Sequence, residues 1–368
     1  MTADPTPPTS LPVVIDTFCG AGGLSLGLRQ AGLDVRGAFD SDARAAETYR
    51  RNLGNHVVVA RAEVIRGSDL RALAAVEAHE SLIVVGGPPC QGFSRQRRGD
   101  DADRRNDLIF EFVRLVLELE PEMFLMENVS TLAGRRGALY LRQFKDRCER
   151  AGYHVQWKVL DAVDYGVPQY RRRAFIVGER ADGASYFAFP LPTERRVLVR
   201  EAIGDLPTPQ SGDHTAVANH EPDRISGLNR LRISHVPPGG GRADIPPELR
   251  LPCHRAGVDQ IGHRSVYGRL HWDEPAGTIT TKCNSFTRGR FAHPEADRNI
   301  TMREAARLQS FPDDFVFVGD KVAVAHQIGN AVPPRLARRL GGALLDALRK
   351  RAAGEPTSDK AQLALALR

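Results

Sequence analysis

Long apolar runs are missing from this chain. No stretch approaches the roughly 20 residues that a membrane span requires, and the opening MTADPTPPTS has neither the positive patch nor the apolar stretch of a secretory leader. The expectation is a cytoplasmic protein with no membrane partner. Cysteine is scarce: five residues, Cys19, Cys90, Cys148, Cys253 and Cys283, are odd in number and never spaced as CxxC. That pattern excludes a disulfide framework and gives no sign of a metal site. There is no internal repeat and no phosphate-cradling GK[ST]. The net charge of +6 is too mild to identify a partner, because many proteins of that charge never touch a polyanion.

What is present, from Val13 to Gly178, is alternation. Short apolar runs at Val13–Asp16, Val35–Asp40, Val57–Val59, Leu82–Val85, Met123–Met126, Val155–Leu160 and Ala174–Val177 read as strands. Between them Gly23–Ala31, Ala43–Leu53, Asp69–Ala78, Leu108–Leu119 and Leu139–Ala151 carry apolar residues at helical spacing. Such alternation predicts an α/β fold with a mostly parallel sheet and helices on both faces. The character changes after Glu179. Residues 185–299 hold twelve of the 24 prolines and seven of the eleven histidines, so a smaller, loop-rich second domain is expected there. Helical spacing returns at Thr301–Gln309 and Pro333–Arg351. The expected organisation is a tail at 1–11, a main domain at 12–184, the loop-rich domain at 185–299, a return to the main domain at 300–352, and a second tail at 353–368.

Three local constellations carry chemistry. Asp16-Thr17-Phe18-Cys19-Gly20-Ala21-Gly22-Gly23 falls where the first strand turns into the first helix, and the second strand ends in Phe39-Asp40. Glycines there let a ligand approach the backbone and the helix N-terminal amides, and a carboxylate at that strand end is placed for the hydroxyls of a ribose. A tight turn with a capping aspartate explains the same residues equally well. The spacing is DxFxGxGG rather than GxGxxG, with Phe18 placed against a base or sugar, so S-adenosylmethionine fits better than NAD. The second constellation, Gly86-Gly87-Pro88-Pro89-Cys90-Gln91-Gly92-Phe93-Ser94, presents one cysteine rigidly beyond an apolar strand. A thiolate is a strong nucleophile when its pKa is lowered or its acceptor activated, although an inert buried thiol is the commoner fate of a lone cysteine. The third pairs Met126-Glu127-Asn128-Val129 with Gln169-Tyr170-Arg171-Arg172-Arg173, which supplies a carboxylate and guanidiniums. Glu127 and Asn128 equally suit a helix cap, and the arginines from Arg95 to Arg105 equally suit a solvated loop balanced by aspartates.

DTFCGAGGLSLGL, GGPPCQGFS, MENV, DYGVPQYRRRAFIVG, REAARLQSFPDDF and HQIGNAVPP, in that order, resemble the motifs of the DNA (cytosine-5)-methyltransferase family, in its bacterial, restriction-modification-like form. The likeness extends over nearly the whole chain. It implies a Rossmann-like S-adenosylmethionine-dependent methyltransferase fold, with 185–299 as the target recognition domain. Catalysis would fall to Cys90 as the thiolate that adds to carbon 6 of cytosine, Glu127 as the acid at the ring nitrogen and exocyclic amine, and Arg173 with Arg171 at the carbonyl oxygen and nearby phosphate. The cofactor would be held by Phe18, Gly20, Gly22, Gly23, Asp40, Pro88, Asn330 and Val332. Where the family often carries Asp-Ile after the third strand, this chain has Ala62-Glu63-Val64, with Glu63 as the substitute at the adenine amine.

The resemblance also implies DNA contacts from Gln91, Ser94, Arg95, Arg97 and Arg98 in a loop that closes over a flipped base, and from Gln169, Thr278 and Ile279, whereas Arg269, Lys282, Arg288 and Arg290 are candidates for phosphate or guanine contacts by residue type, since arginine reads guanine by a bidentate bond. No metal is implied. The expected partners are double-stranded DNA and, functionally, a cognate restriction endonuclease, with the enzyme a monomer associated with the nucleoid through DNA. A tRNA cytosine methyltransferase, a non-catalytic DNA-binding relative and a nicotinamide oxidoreductase are the alternative readings, the last supported only by the glycine turn.

Overall fold

The computed structural model describes residues 11–89, 107–193, 195–209, 217–252 and 265–357. Cys90, Gln91, Ser94, Arg95, Arg97 and Arg98 lie outside them. The chain divides into two compact units: residues up to 161, 172–193 and 332 onward form the first, and 162–171 with 194–331 form the second.

The first unit is built on seven strands, β1 (Val13–Thr17), β2 (Asp34–Asp40), β3 (Val57–Val59), β4 (Leu82–Gly86), β5 (Met123–Val129), β6 (Tyr153–Asp161) and β7 (Arg172–Arg180), in the spatial order β3-β2-β1-β4-β5-β7-β6. Pairs from β3 through β5 are parallel, whereas β7 runs antiparallel to both β5 and β6. All seven strands coincide with the apolar runs in the sequence. The reason is visible in the burial of β1 and β4, where every residue is inside: a strand covered on both faces needs a continuous apolar run. The connecting helices are α1 (Gly23–Gln30), α2 (Ala43–Leu53), α3 (Gly67–Leu73), α4 (Leu108–Leu119) and α5 (Ala138–Arg150). Helix α3 is shorter than its periodicity predicts, because Ala75 takes a left-handed conformation at φ 46° and turns the chain away.

Period-two alternation sorts β1 between two faces. Val13 and Ile15 join Leu70 of α3, Phe112 and Val116 of α4, and Phe144 of α5 in the main core. Burying each such side chain contributes about 1.5–3 kcal/mol. Asp16 faces the other way, onto α1, where Ser25 meets it. On that side α1 packs against the C-terminal helix Pro334–Ala353, with Gly27 at the crossing. A Cβ on Gly27 would lie 2.3 Å from the Pro334 carbonyl oxygen, so only glycine admits this approach.

The second unit contains a two-stranded pair, Gly268–Arg269 and Arg290–Ala292, and a core of Ile233, Val236, Ile245, Val266, Tyr267, Phe286 and Ala292. Helices Met302–Leu308 and Lys321–Asn330 belong to it as well. The sequence reading instead returns the chain to the main domain at 300. The difference arises from Arg303: its fully buried guanidinium donates to the carbonyls of Ala218, Pro312 and Phe315, which ties this helix to the loops of the second unit.

Candidate active site

The first unit positions a ligand-shaped turn at the carboxyl end of β1. Phe18, Gly20 and Gly22 all have positive φ, at 55°, 54° and 96°. At Gly22 the need for glycine is twofold, since a Cβ there would also stand 2.4 Å from Leu53 Cδ1 and 2.8 Å from the Tyr49 ring. Helix α1 therefore starts without any side-chain cap, leaving amides of its first turn to a ligand. Asp40, at the end of β2, accepts from the Gly20 N–H (Oδ2, 2.8 Å) and the Asp42 N–H (Oδ1, 2.8 Å). Its carboxylate thus fixes the turn and retains lone pairs for hydroxyls. Burial raises its pKa, and the two amide bonds oppose that rise. The Phe18 ring lies 5.3 Å from Phe39 at a tilt of 52°, with one face still partly exposed.

A buried chain of polar groups leads away from this turn. Asp16 Oδ2 accepts from Ser25 Oγ at 2.5 Å, Ser25 meets the Tyr49 hydroxyl at 3.0 Å, and that hydroxyl meets His56 Nε2 at 3.0 Å. Asp16 Oδ1 is buried and accepts no hydrogen bond from the described residues. Burial lifts the Asp16 pKa to about 7, Ser25 restrains the rise, and the nearby Asp40 charge adds to it. An orphaned buried carboxylate oxygen beside an uncapped helix and an open glycine turn is the donor set that a cationic, hydroxyl-bearing cofactor fits.

The second half of the site stands on β5 and β7. Val129 pairs with Arg173 across the antiparallel ladder, so Glu127, two residues back along β5, shares a face with Arg173. Arg173 Nε lies 3.0 Å from Glu127 Oε1. The contact is an ion pair rather than a hydrogen bond, and Oε1, although buried, takes no hydrogen bond from the described residues. Next to it, Asn128 donates from Nδ2 to the Pro88 carbonyl at 3.0 Å and accepts from the Val129 N–H at 2.8 Å. A Cβ on Gly87 would lie 3.5 Å from Glu127 Oε2. The strand carrying Glu127 therefore holds the chain just ahead of Cys90.

The family model for C-5 cytosine-specific DNA methylase matches residues 13–346. The chain belongs to this family. A Type II methylase of Herpetosiphon aurantiacus, M.HgiDII, is 38% identical over 331 residues, covering 88% of this chain and 92% of the relative. The Type II methyltransferase M1.HphI of Haemophilus parahaemolyticus is 39% identical over 90% of this chain and 86% of its own. Among solved structures, an E. coli prophage protein described as a candidate DNA modification methyltransferase is 28% identical with a TM-score of 0.67, covering 92% and 99% of the two chains. The methylase is accordingly a DNA (cytosine-5-)-methyltransferase, of a family that uses S-adenosylmethionine. Among its described residues no helix is long and apolar enough to cross a membrane.

Several residues assigned to substrate by their type have other work in this methylase. Gln169 is fully buried: its Nε2 donates to the Leu308 carbonyl and Gln309 Oε1, and its Oε1 accepts from the Ile279 N–H. Ile279 is buried too. Arg171 sends its guanidinium to the carbonyls of Ile279 (3.2 Å) and Gly329 (2.9 Å) within the second unit. Arg269 spends its donors on the carbonyls of Val236, Ile233, His293 and Ala296 and on Asp297 Oδ1. Arg290 Nη1 donates to the carbonyls of Gly239, Gly240 and Arg269. A buried guanidinium must satisfy its donors internally, as Arg269 does, and the half-buried Arg290 ties the same β-pair through Nη1.

Thr278, Lys282 and Arg288 are exposed, with the Thr278 hydroxyl donating to the Tyr170 carbonyl. Glu63 is exposed and paired with Arg61 at 3.0 Å. Asn330, exposed, contacts His326 and falls in the second unit, whereas buried Val332 falls in the first. The sequence reading missed Ser25, Tyr49 and His56 altogether and missed Asn128 as an anchor. A signal for the first group existed: Asp16 is an acid inside an otherwise apolar strand.

Proposed function

We propose that this chain methylates carbon 5 of one cytosine within a short specific sequence of double-stranded DNA, through a covalent adduct between Cys90 and a base flipped out of the duplex. The observation that carries the reading is the Glu127–Arg173 pair beside the Asn128-tethered Pro88 carbonyl, two residues before Cys90. When bound, S-adenosylmethionine would supply an electrophilic methyl group, and Phe18, Gly20, Gly22, Gly23, Asp40, Pro88 and Val332 of the first unit would hold it. Cytosine carbon 5 is too weak a nucleophile to accept that methyl unaided. Cys90 Sγ therefore adds to carbon 6, which moves electron density onto carbon 5. Glu127 holds a proton at the ring nitrogen as that density builds, and Arg173 keeps the carboxyl group aimed and takes the carbonyl oxygen. After methyl transfer, water removes the carbon 5 proton and Cys90 leaves by elimination. Attack on the ring face requires the base outside the stack, at a cost of a few kcal/mol.

The segment 185–299 is the part we assign to base recognition, with Thr278, Lys282 and Arg288 at its exposed contacts. The relatives' Type II names support a role as the modification half of a restriction–modification pair; we propose that the enzyme acts as a monomer in the cytoplasm. A pool of random duplexes containing 5-fluorocytosine tests the chemistry, because fluorine blocks the elimination. A denaturation-resistant protein–DNA adduct is expected with S-adenosylmethionine present and is lost in Cys90→Ala. An adduct formed on tRNA but not on duplex would reassign the substrate.

A further inference from the structure

The Asp16–Ser25–Tyr49–His56 chain has no place in the chemistry above, yet it joins a buried carboxylate at the cofactor turn to a partly exposed imidazole. Such a chain has two proton arrangements. With Asp16 ionised, the donors run from His56 Nε2–H to Tyr49, from Tyr49 to Ser25, and from Ser25 to Asp16. With Asp16 protonated every bond reverses, and His56 Nε2 becomes the acceptor. Arg29 Nη2, which only donates, lies 3.4 Å from the same Nε2 and favours the second arrangement. We infer that Asp16 is the charge-sensing residue of the cofactor site: it holds a proton when the site is empty, loses it when the sulfonium cation of S-adenosylmethionine arrives, and so favours the substrate cofactor over its uncharged thioether product. The inference rests on the assignment of this turn to S-adenosylmethionine.

The proton balance is complete. The Asp16 proton passes to Ser25 Oγ as the Ser25 proton passes to Tyr49 Oη and the Tyr49 proton to His56 Nε2. The imidazolium then releases Nδ1–H to solvent, which leaves the first arrangement intact. The groups facing the chain are what would keep a proton on Asp16 in the empty site. Asp40 on β2 adds negative charge beside Asp16, and both carboxylates act on the Cys19 thiol, which burial holds far above its ordinary pKa. Arg50 of α2 acts on Cys19 in the opposite sense. Burial raises the Tyr49 pKa, Asp16 and Cys19 add to the rise, and Arg29 opposes it, so the hydroxyl conducts a proton without holding an anion. Burial and Arg29 depress His56 while Asp34 opposes them, so the imidazole passes its proton on to water. Two clustered acids with one orphaned oxygen form a negative site that a fixed positive charge relieves.

The sign of the linkage follows. A proton must leave for the cation to bind well, so affinity rises with pH up to the Asp16 pKa of about 7 and levels off above it. Calorimetric titration of the full chain with S-adenosylmethionine, in buffers of differing ionisation enthalpy, counts the proton directly. The affinity is expected to rise about eightfold from about pH 6 to about pH 7.5, with close to one proton released at about pH 6 and about a quarter of one at about pH 7.5. S-adenosylhomocysteine should change by less than about threefold over the same range. Asp16→Asn should flatten the S-adenosylmethionine profile. Tyr49→Phe, which keeps the ring against Gly22 but removes the link to Ser25, should move the midpoint to higher pH and keep the slope. If Asp16→Asn does not fold, the comparison of the two ligands on the wild-type chain still decides. A flat wild-type profile, equal slopes for the two ligands, or an undiminished slope in Asp16→Asn overturns the inference while leaving the cofactor site standing. Absence of S-adenosylmethionine binding at every pH overturns the assignment of the turn as well.

Discussion

Glu127 is a buried carboxylate with an arginine at 3.0 Å and an oxygen that takes no hydrogen bond from the described residues, which leaves that oxygen available to a ligand. Replacing it with glutamine keeps the shape and removes the acid. Glu127→Gln should lower kcat on the order of 10²- to 10³-fold with KM for DNA little altered, because the lost interaction strengthens only as charge develops on the ring. Single-turnover methyl transfer measures this. A fall confined to KM would make Glu127 a binding residue and return the acid role to another group. Asn128 differs in kind: both ends of its amide are already committed to backbone, so it positions the chain near Cys90 without touching substrate.

At the scale of elements, the β-pair of the second unit separates arginines that hold structure from cations that face solvent. Arg269→Ala would strand four backbone carbonyls and Asp297 without their donor, and should destabilise the protein by roughly 2–4 kcal/mol. The salt dependence of DNA binding should not change. Lys282→Ala or Arg288→Ala should leave melting unaltered and reduce that salt dependence by about one counterion each. Thermal denaturation beside affinity measured over a salt series distinguishes the two classes, and a reduced salt slope in Arg269→Ala would restore that residue to the DNA face. The seven strands were legible in the sequence because strands buried on both faces must be continuously apolar. The positions of Gln169, Arg171, Arg269 and Arg290 were not. A polar side chain that reaches backbone and one that reaches phosphate look identical until burial is known. The end of α3 was overrun for a related reason, since the left-handed Ala75 leaves no mark in the residue pattern.

At the scale of the molecule, one unit brings together the glycine turn after β1, the Pro88 carbonyl and the Glu127–Arg173 pair, all at carboxyl ends of adjacent strands or their antiparallel neighbour. That placement is the general rule for ligand sites in open α/β sheets. The second unit buries Arg171, Arg242, Arg269 and Arg303 and presents Thr278, Lys282 and Arg288 outward. Family membership fixes the reaction class, and in the proposed function residues 185–299 supply the sequence specificity. The most direct test is transfer of labelled methyl groups from S-adenosylmethionine to genomic DNA of mixed sequence, followed by bisulfite sequencing. Protected cytosines in one short context are the predicted result. Label absent from DNA, or protected cytosines scattered without a common context, would contradict a sequence-specific cytosine-5 methyltransferase.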